Sequence, residues 1–269
     1  MLATIGAKTI ESVSATGRFS IFCWHMLRWL IPGLIRWNMW VRAMPLFYEV
    51  GNRTLAVIII TGTFVGLVLA NQSYAQLHAA GFEQHMGVLL SVTLMQELGP
   101  VLSGVMVAGR IGGALTAELG TMKVTEQISA LSVMGADPIR QLVVPRFLAC
   151  LIMTPLLTLF CDVCGQLAGW FVAVMLKGIP SSPYWYNIAN ALVKFDVIVG
   201  VVKSVVFGGA IGMVACYKGF HCRAGAEGVG RACTESFVIV FIIILVTDFL
   251  FGTVMNGIYR ALYGFQSLV

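Results

Sequence analysis

Charged side chains are scarce in this sequence. Only 11% of its 269 residues are Asp, Glu, Lys or Arg, whereas 58% are hydrophobic. A soluble domain usually carries about a quarter charged residues, so the composition indicates an integral membrane protein. No polar stretch is long enough to form a separate domain, and we expect residues 1–269 to form one membrane domain. No basic face remains after the loop charges are assigned, so no nucleic-acid partner is expected.

Motifs for nucleotide, metal and nucleophilic chemistry are also missing. The sequence contains no G-x-x-x-x-G-K-[ST], no H-E-x-x-H and no G-x-S-x-G. The run from Gly109 to Gly113 is glycine-rich, but no strand precedes it and the phosphate-loop lysine is absent. Cys161 and Cys164 form a lone C-x-x-C, for which packing is a simpler explanation than a metal or redox role. We therefore expect no catalytic residue, no metal site and no cofactor in this chain.

Apolar segments of roughly 20 residues or more, long enough to cross a bilayer, recur along the chain. The first softens at Asn71, Gln72 and Ser73, so it is either a full span or a re-entrant pair. In the region 1–50, tryptophans alternate with arginines, which favours a helix lying in the membrane interface over a tilted span. The five predicted segments are 54–82, 86–117, 148–176, 197–217 and 237–259, with a short interfacial helix at 180–195.

The distribution of Lys and Arg predicts the orientation. If the N-terminus is cytoplasmic, the inner segments 1–53, 110–146 and 218–231 carry six, four and three of these residues. The outer segments then carry none, two and one. This asymmetry follows the positive-inside rule. The polar stretch between the second and third spans is therefore predicted to be cytoplasmic.

The clear candidates for functional charged residues at membrane depth are Glu97, Asp162, Lys203 and Asp248. Each costs roughly 2.5 to 3.5 kcal/mol to insert, so such groups usually face a cavity or a partner. Glu97 and Lys203 have opposite sign, and we hypothesise an ion pair that lines a polar path. A buried pair without substrate contact is the alternative, and helix packing explains Asp162 equally well. Pro100 removes a backbone donor close to Glu97 and predicts a kink that turns Glu97 into an interior cavity.

The stretch 121–136 is predicted to form a short amphipathic helix. Val124, Ile128 and Leu131 fall near one face, and polar residues populate the rest. Asp137 and Pro138 are expected to stop this helix, because a residue before proline avoids the helical region. A short cytoplasmic helix between two spans either grips a soluble motor protein or rests on the lipid headgroups, and the spacing alone does not decide between them.

A set of short motifs is distributed along the chain from the second span to the fifth. They are Glu97-Leu-Gly-Pro100, Ala108-Gly-Arg110, Ala114-Leu-Thr-Ala-Glu-Leu-Gly120, Met122, Thr125-Glu-Gln127, Met134, Asp137-Pro138, Pro145-Arg146, Lys203-Ser-Val-Val-Phe207, Gly230-Arg231 and Asp248-Phe249. Together they resemble the signature of the MlaE/YrbE permeases, the membrane subunits of lipid-transporting ABC systems that work with MCE-domain proteins.

The resemblance implies an all-α membrane fold, with an N-terminal interfacial helix, five transmembrane helices and a cytoplasmic coupling helix between the second and third. It also implies a homodimer in a bacterial inner membrane, with cytoplasmic ABC ATPase subunits that bind ATP and Mg, and a periplasmic ring of MCE proteins. A plastid location is disfavoured because no transit peptide is present. Phospholipid is the expected cargo, carried through an outward-facing cavity at the centre of the dimer.

The resemblance, combined with the charges at membrane depth, predicts two groups of functional residues. The lipid path is predicted to include Glu97, Pro100, Lys203, Arg231 and Asp248. The family often has basic residues where this chain has Gln96 and Glu235, so its headgroup preference does not carry over. The residues predicted to contact or shape the ATPase joint are Glu126, Gln127, Ile128, Leu131, Met134, Asp137, Pro138 and Arg140.

Two other classes of protein place polar groups in a membrane. An ion-coupled secondary transporter would be supported by inverted repeats, and none is visible in the sequence. An intramembrane lipid-modifying enzyme would need a nucleophile and base or a set of metal ligands. The four histidines all fall at segment ends, which argues against a catalytic cluster.

Overall fold

The computed structural model describes residues 2–35 and 37–263, and every regular element within them is helical. The predicted all-α architecture is confirmed, with five helices long and apolar enough to cross a membrane. These candidate spans are Met39–Ala80, Glu83–Val124, Ile139–Leu176, Lys194–Phe220 and Ala226–Met255.

Two long helices begin the described chain. Helix α1 is Leu2–Ile35 and helix α2 is Trp37–Ala80. Because α2 is continuous, the first segment is a single helix and not a re-entrant pair. At 1.5 Å per residue α2 is about 66 Å long, which exceeds the roughly 30 Å hydrocarbon core. Helix α2 therefore runs without a break through residue 50, where the interfacial region is predicted to end and the transmembrane core to begin.

The second span is built from three α-helical pieces joined by two π-helical turns. The first of these pieces directly follows a 3₁₀ turn at Glu83–His85. Pro100 lies just after the first π turn, and the second contains Gly109, positions at which kinks and bulges in long helices commonly arise. The pieces are α3 (Met86–Thr93), α4 (Gly99–Val107) and α5 (Gly113–Val124), and the π turns are Leu94–Leu98 and Ala108–Gly112.

The third, fourth and fifth spans begin earlier than the hydropathy pattern predicted. Charged residues such as Arg146, Asp196 and Arg231 interrupt an apolar run in the sequence, but each of them lies inside a helix. After the short helix α6 (Gln127–Val133), the third span opens with a π turn. The elements are the π turn Ile139–Val143, α7 (Val144–Trp170), the π turn Phe171–Leu176, α8 (Ser181–Ala191), α9 (Lys194–Phe220) and α10 (Ala226–Tyr263).

The prediction of one helix over 121–136 is wrong, because the chain breaks at Glu126. This residue has φ 58°, in the left-handed region that L-residues rarely adopt. It separates α5 from α6. Gly135, with φ 75°, ends α6 as a left-handed cap, and the Ala136 N–H donates to the Leu131 carbonyl.

Asp137 and Pro138 start the third span and do not stop α6. The Asp137 Oδ1 accepts the N–H of Ile139 at 2.9 Å, and the Asp137 carbonyl accepts the N–H of Gln141. An aspartate at the cap followed by proline is a common helix start, because proline lacks only a donor that would be unpaired there. The sequence pattern was therefore a start signal that we interpreted as a stop signal.

Helix α8 is the predicted short helix after the third span, but its aromatic residues have divided roles. Trp185 and Tyr186 are exposed, as expected of residues at a membrane interface. Tyr184 is instead buried, and its hydroxyl accepts a hydrogen bond from the Gln166 amide at 3.3 Å. Burial raises the pKa of Tyr184 to about 12. This side chain therefore anchors α8 to the third span.

Helices α2 and α7 approach closely enough for their backbones to touch. A Cβ atom at Gly66 would overlap the Gly165 carbonyl, and one at Gly62 would lie 2.7 Å from the Cys161 carbonyl oxygen. Small residues permit such contacts between membrane helices. The glycines of α2 therefore set the position of the first span against the third.

We predict that Gly66→Ala destabilises the protein, because the added methyl group cannot fit without separating α2 from α7. Overpacking of this kind costs about 1–3 kcal/mol. Gly113→Ala is the matched control, since no atom lies within 4 Å of its Cβ position. Thermal unfolding in detergent should show a lower midpoint for Gly66→Ala alone. Equal midpoints for the two variants would contradict the close packing of α2 on α7.

Candidate functional site

The first π turn of the second span is closely followed by Pro100, which cannot supply a backbone donor to the preceding turn. In an α-helix the N–H of residue 100 would donate to the carbonyl of Gln96, but Pro100 has no N–H. The Lys203 ammonium supplies the missing donor, with its Nζ 2.9 Å from the Gln96 oxygen. A side chain from α9 thus completes the hydrogen bonding of the kink.

Lys203 is surrounded by three oxygens. Besides the Gln96 carbonyl, its Nζ donates to Glu97 Oε2 at 2.8 Å. It also lies 3.0 Å from Asp248 Oδ1, an ion-pair contact without good hydrogen-bond angles. The Lys203 side chain is 0% exposed. The structure therefore brings together Glu97, Pro100, Lys203 and Asp248, four of the five residues predicted for the lipid path.

Close backbone contact makes this arrangement possible. A Cβ atom at Gly200 would overlap the Met95 carbonyl, so only glycine lets α9 lie this close to the π turn. Lys203 follows one turn later on the same side of α9. The glycine thereby brings the ammonium within reach of Gln96 and Glu97.

The two carboxylates of the cluster are partly open to their surroundings. The Glu97 side chain is 46% exposed and that of Asp248 is 21% exposed. Beside them, Gly252 leaves a gap, since a Cβ there would lie 3.6 Å from Glu97 Oε1 and 4.0 Å from Lys203 Nζ. The cluster therefore has a sealed cation and accessible anions. We call Glu97, Lys203 and Asp248 the ion-pair cluster.

Asp196 lies next to this cluster and was missed in the sequence analysis. Its Oδ1 accepts the Gln96 amide at 2.6 Å and its Oδ2 accepts the Val193 N–H at 3.0 Å. Asp196 is buried, and both of these donors are neutral. The available signal was its position three residues after Val193, where a carboxylate commonly caps the first turn of a helix.

Asp162 does not join the ion-pair cluster. It is buried on α7, and its Oδ1 lies against Gly99, where any side chain would clash with it. Among the described residues this oxygen has no hydrogen-bond partner. Glu97 and Gly99 are two residues apart in a helical segment, so their faces point in different directions. Asp162 therefore packs against the kink on a different face from the cluster.

Arg231, the fifth residue predicted for the lipid path, is also separate from the cluster. Its Nε lies 3.0 Å from Glu235 Oε1, and Glu235 Oε2 accepts from Lys218 Nζ at 2.8 Å. Arg231 and Asp248 share α10, about 25 Å apart at 1.5 Å per residue. Arg231 therefore forms a second, more exposed charged group near the α6 end of the bundle.

Helix α6 projects apolar side chains away from the bundle. Val133 is 88% exposed and Met134 is 72% exposed, whereas Ile128 is buried and Leu131 is half-buried. Exposed apolar groups at the tip of a short helix are a common feature of protein-binding surfaces. The predicted joint residues thus divide in two: Ile128 anchors α6, and Met134 is available to a partner.

Side-chain contacts hold together the helices next to α6 and the π turn that follows it. Arg146 on α7 donates to both carboxylate oxygens of Glu118 on α5, at 2.7 and 3.4 Å. Arg140 stacks over the Trp29 ring of α1, with 4.9 Å between its guanidinium carbon and the ring centre. A cavity of about 530 Å³ lies beside these contacts and reaches Leu131. These contacts tie α7 to α5, and the π turn that follows α6 to α1.

Comparisons with known proteins agree with this architecture. The family model Permease MlaE matches residues 44–254. A probable ABC transporter permease of Rickettsia felis is 38% identical over 247 residues, which cover 92% of this chain and 94% of the relative. The intermembrane phospholipid transport system permease protein MlaE of Haemophilus influenzae is 33% identical over 261 residues, covering 95% and 97%. The chloroplastic protein TRIGALACTOSYLDIACYLGLYCEROL 1 of Arabidopsis thaliana is 33% identical over 224 residues, covering 83% and 63%.

We predict that Lys203→Met destabilises the fold by about 3 kcal/mol, the lower end of the range for breaking a buried ion pair, because the partner carboxylates are partly exposed. It leaves two carboxylates and one carbonyl without their shared cation, and breaking a buried ion pair is costly. Lys218→Met is the control, because the Lys218–Glu235 pair is more exposed and such pairs contribute about 1 kcal/mol or less. Thermal unfolding of purified variants should separate the two. Similar midpoints would show that the cluster contributes little to stability.

Proposed function

The chain belongs to the MlaE permease family, and we propose that it is the membrane-spanning subunit of an ATP-driven phospholipid transporter. The observation that carries this proposal is the ion-pair cluster, in which Lys203 is buried between the spans and the Glu97 side chain remains partly exposed. The relatives that bear the names of ABC permeases and of a phospholipid transport permease support the choice of motor and cargo. The ion-coupled transporter and the lipid-modifying enzyme have no comparable support.

The cluster lies where a lipid headgroup could be held. Glu97 belongs to the kinked second span and Asp248 to α10, so a headgroup bound between them would contact two elements that can move relative to each other. Apolar side chains of α10 near Asp248 are exposed, including Phe249, Leu250 and Val254. These would accommodate acyl chains while the carboxylates hold the polar end.

A second copy of the chain would complete the lipid cavity that we propose beside the ion-pair cluster. Only 11% of the most apolar window of α10 is buried, compared with 44–50% for the second, third and fourth spans. The fifth span therefore has the largest face left for lipid and for another protein. We propose a homodimer in which the proposed lipid cavities of the two copies meet, as the resemblance to the family implies.

The motor would act through α6. In this proposal, Val133 and Met134 enter a groove of a cytoplasmic ABC ATPase, which binds ATP and Mg. Glu126 and Gln127 lie at the exposed start of α6, and Asp137, Pro138 and Arg140 shape the turn that follows it. Closure of two ATPase subunits would draw the two α6 helices together, and α5 and α7 would transmit the movement to the kink and displace the lipid.

The transporter would operate in a bacterial inner membrane with its N-terminus in the cytoplasm. The end of the bundle that carries α6 would then face the ATPase, and the opposite end would face a periplasmic ring of MCE proteins. The excess of Lys and Arg in the segments on the α6 side supports this orientation.

We predict that Val133→Asp combined with Met134→Asp abolishes binding of the ATPase subunit. Two charges would replace the apolar surface that the groove buries, while the bundle itself stays intact. Leu176→Asp is the control, since Leu176 is also exposed but lies at the opposite end of the third span. Copurification of the ATPase with tagged permease measures the effect. Unchanged copurification of the double variant would exclude α6 as the joint.

We further predict that Glu97→Gln lowers lipid-stimulated ATP hydrolysis about tenfold. A tenfold loss of rate corresponds to about the free energy of one hydrogen bond to a charged group. The glutamine amide keeps the shape of the glutamate side chain. Glu83→Gln is the control, because Glu83 pairs with His78 near the end of the second span, outside the cluster. The complex reconstituted in lipid nanodiscs provides the measurement. Equal activity of both variants would exclude Glu97 from the lipid path.

A further inference from the structure

We infer that the ion-pair cluster selects lipids whose headgroup carries a primary ammonium and disfavours lipids with a net negative headgroup. This inference rests on the proposed function and names the substrate class of the same site. It follows from the charge balance of the cluster, from the burial of its one cation and from the exposure of its carboxylates.

The charge balance around the kink is negative. Two carboxylates, of Glu97 and Asp248, contact the ammonium of Lys203. A third, of Asp196, is linked to that ammonium through Gln96, whose amide donates to Asp196 and whose carbonyl accepts from Lys203. The formal charges therefore leave an excess of two negative charges. Asp196 brings no cation with it, because both groups that donate to it, the Gln96 amide and the Val193 N–H, are neutral. An approaching lipid phosphate would meet repulsion from this excess.

Lys203 is not available to a phosphate. An ammonium has three protons to donate, and three oxygens already surround Nζ, from Gln96, Glu97 and Asp248. Its side chain is wholly buried, so a phosphate would first have to displace one of these oxygens. The only positive charge of the cluster is thus committed to holding the second span, α9 and α10 together.

The accessible atoms of the cluster are hydrogen-bond acceptors. Lys203 uses Oε2 of Glu97, which leaves Oε1 to face the gap beside Gly252. A primary ammonium can donate to Oε1 and to the Asp248 carboxylate at the same time, and hydrogen bonds between charged groups are roughly twice as strong as neutral ones. The 46% exposure of the Glu97 side chain leaves its carboxylate accessible to this small group.

The other cations of the described spans lie away from the carboxylate of Glu97. Lys194 is exposed, but it lies nine residues before Lys203 on α9, about 13 Å along the helix and on its opposite side. Lys218 and Arg231 are both paired with Glu235. Arg110 is exposed on the second span, but it lies about 20 Å along the helix from Glu97. A phosphate adjoining an ammonium at Glu97 cannot reach it. The exposed atoms of the cluster therefore offer anions to the headgroup, while its one cation is buried.

The test compares acyl-matched phosphatidylethanolamine and phosphatidylglycerol, supplied to the reconstituted permease–ATPase complex. We expect phosphatidylethanolamine to stimulate ATP hydrolysis at least about fivefold more than phosphatidylglycerol. Phosphatidylcholine, which has the same net charge but no ammonium protons, should stimulate less than phosphatidylethanolamine. Equal stimulation by these two zwitterionic lipids would contradict the need for a primary ammonium.

Two variants test whether the cluster causes the selectivity. Glu97→Gln should reduce the preference for phosphatidylethanolamine below about twofold, and Gln96→Arg should reduce it too, by adding a cation beside Asp196. Glu83→Gln should leave the preference unchanged. A preference that persists in both cluster variants would place the selecting groups elsewhere and overturn the inference.

The possible failures are distinguishable. ATP-dependent handling of both lipids at equal rates, or a preference for phosphatidylglycerol, would overturn the headgroup inference and leave the proposed function standing. If neither lipid stimulates ATP hydrolysis, the proposed function itself fails. Soluble glycerophosphoethanolamine, which lacks acyl chains, should give no stimulation. Stimulation by this compound would assign the site to a soluble amine and overturn the choice of a lipid.

Discussion

The ammonium of Lys203 is the contact on which the rest of the site depends. It is wholly buried, and it binds oxygens from the second and fifth spans while it belongs to the fourth. An isolated charge in this position would be prohibitively costly, so the three oxygens and the ammonium require one another. Pro100 supplies one of them by freeing the Gln96 carbonyl. The kink and the ion pair are thus two aspects of a single arrangement.

The same span connects this cluster to the surface proposed for the motor. From the kink, the second span continues through α4, a second π turn and α5 before it reaches α6. The Glu118–Arg146 pair ties the lower part of this span to α7, and α7 packs closely on α2 through glycines. A displacement of α6 therefore has a continuous helical route to Glu97. Two π turns along that route are points where the helix can bend.

The sequence predicted the membrane class, the five spans and the pairing of Glu97 with Lys203, because charge and hydropathy signals at membrane depth are strong. Other features had no local signal. The role of the Gln96 carbonyl depends on a lysine more than a hundred residues later in the chain. The break at Glu126 is a left-handed residue that is not glycine, so nothing in the residue type announced it. Arg231 entered through family resemblance, and the structure pairs it with Glu235, far from the cluster.

Glu97 and Lys203 are expected to act as one unit in lipid handling, and a double-mutant cycle measures whether they do. Lipid-stimulated ATP hydrolysis would be measured for Glu97→Gln, for Lys203→Met and for the combination. Residues in direct contact are expected to show a coupling free energy of about 1 kcal/mol or more, so the double variant should lose much less activity than the product of the two single losses. Strictly multiplicative losses would contradict the account, because they would mean that the two side chains contribute independently.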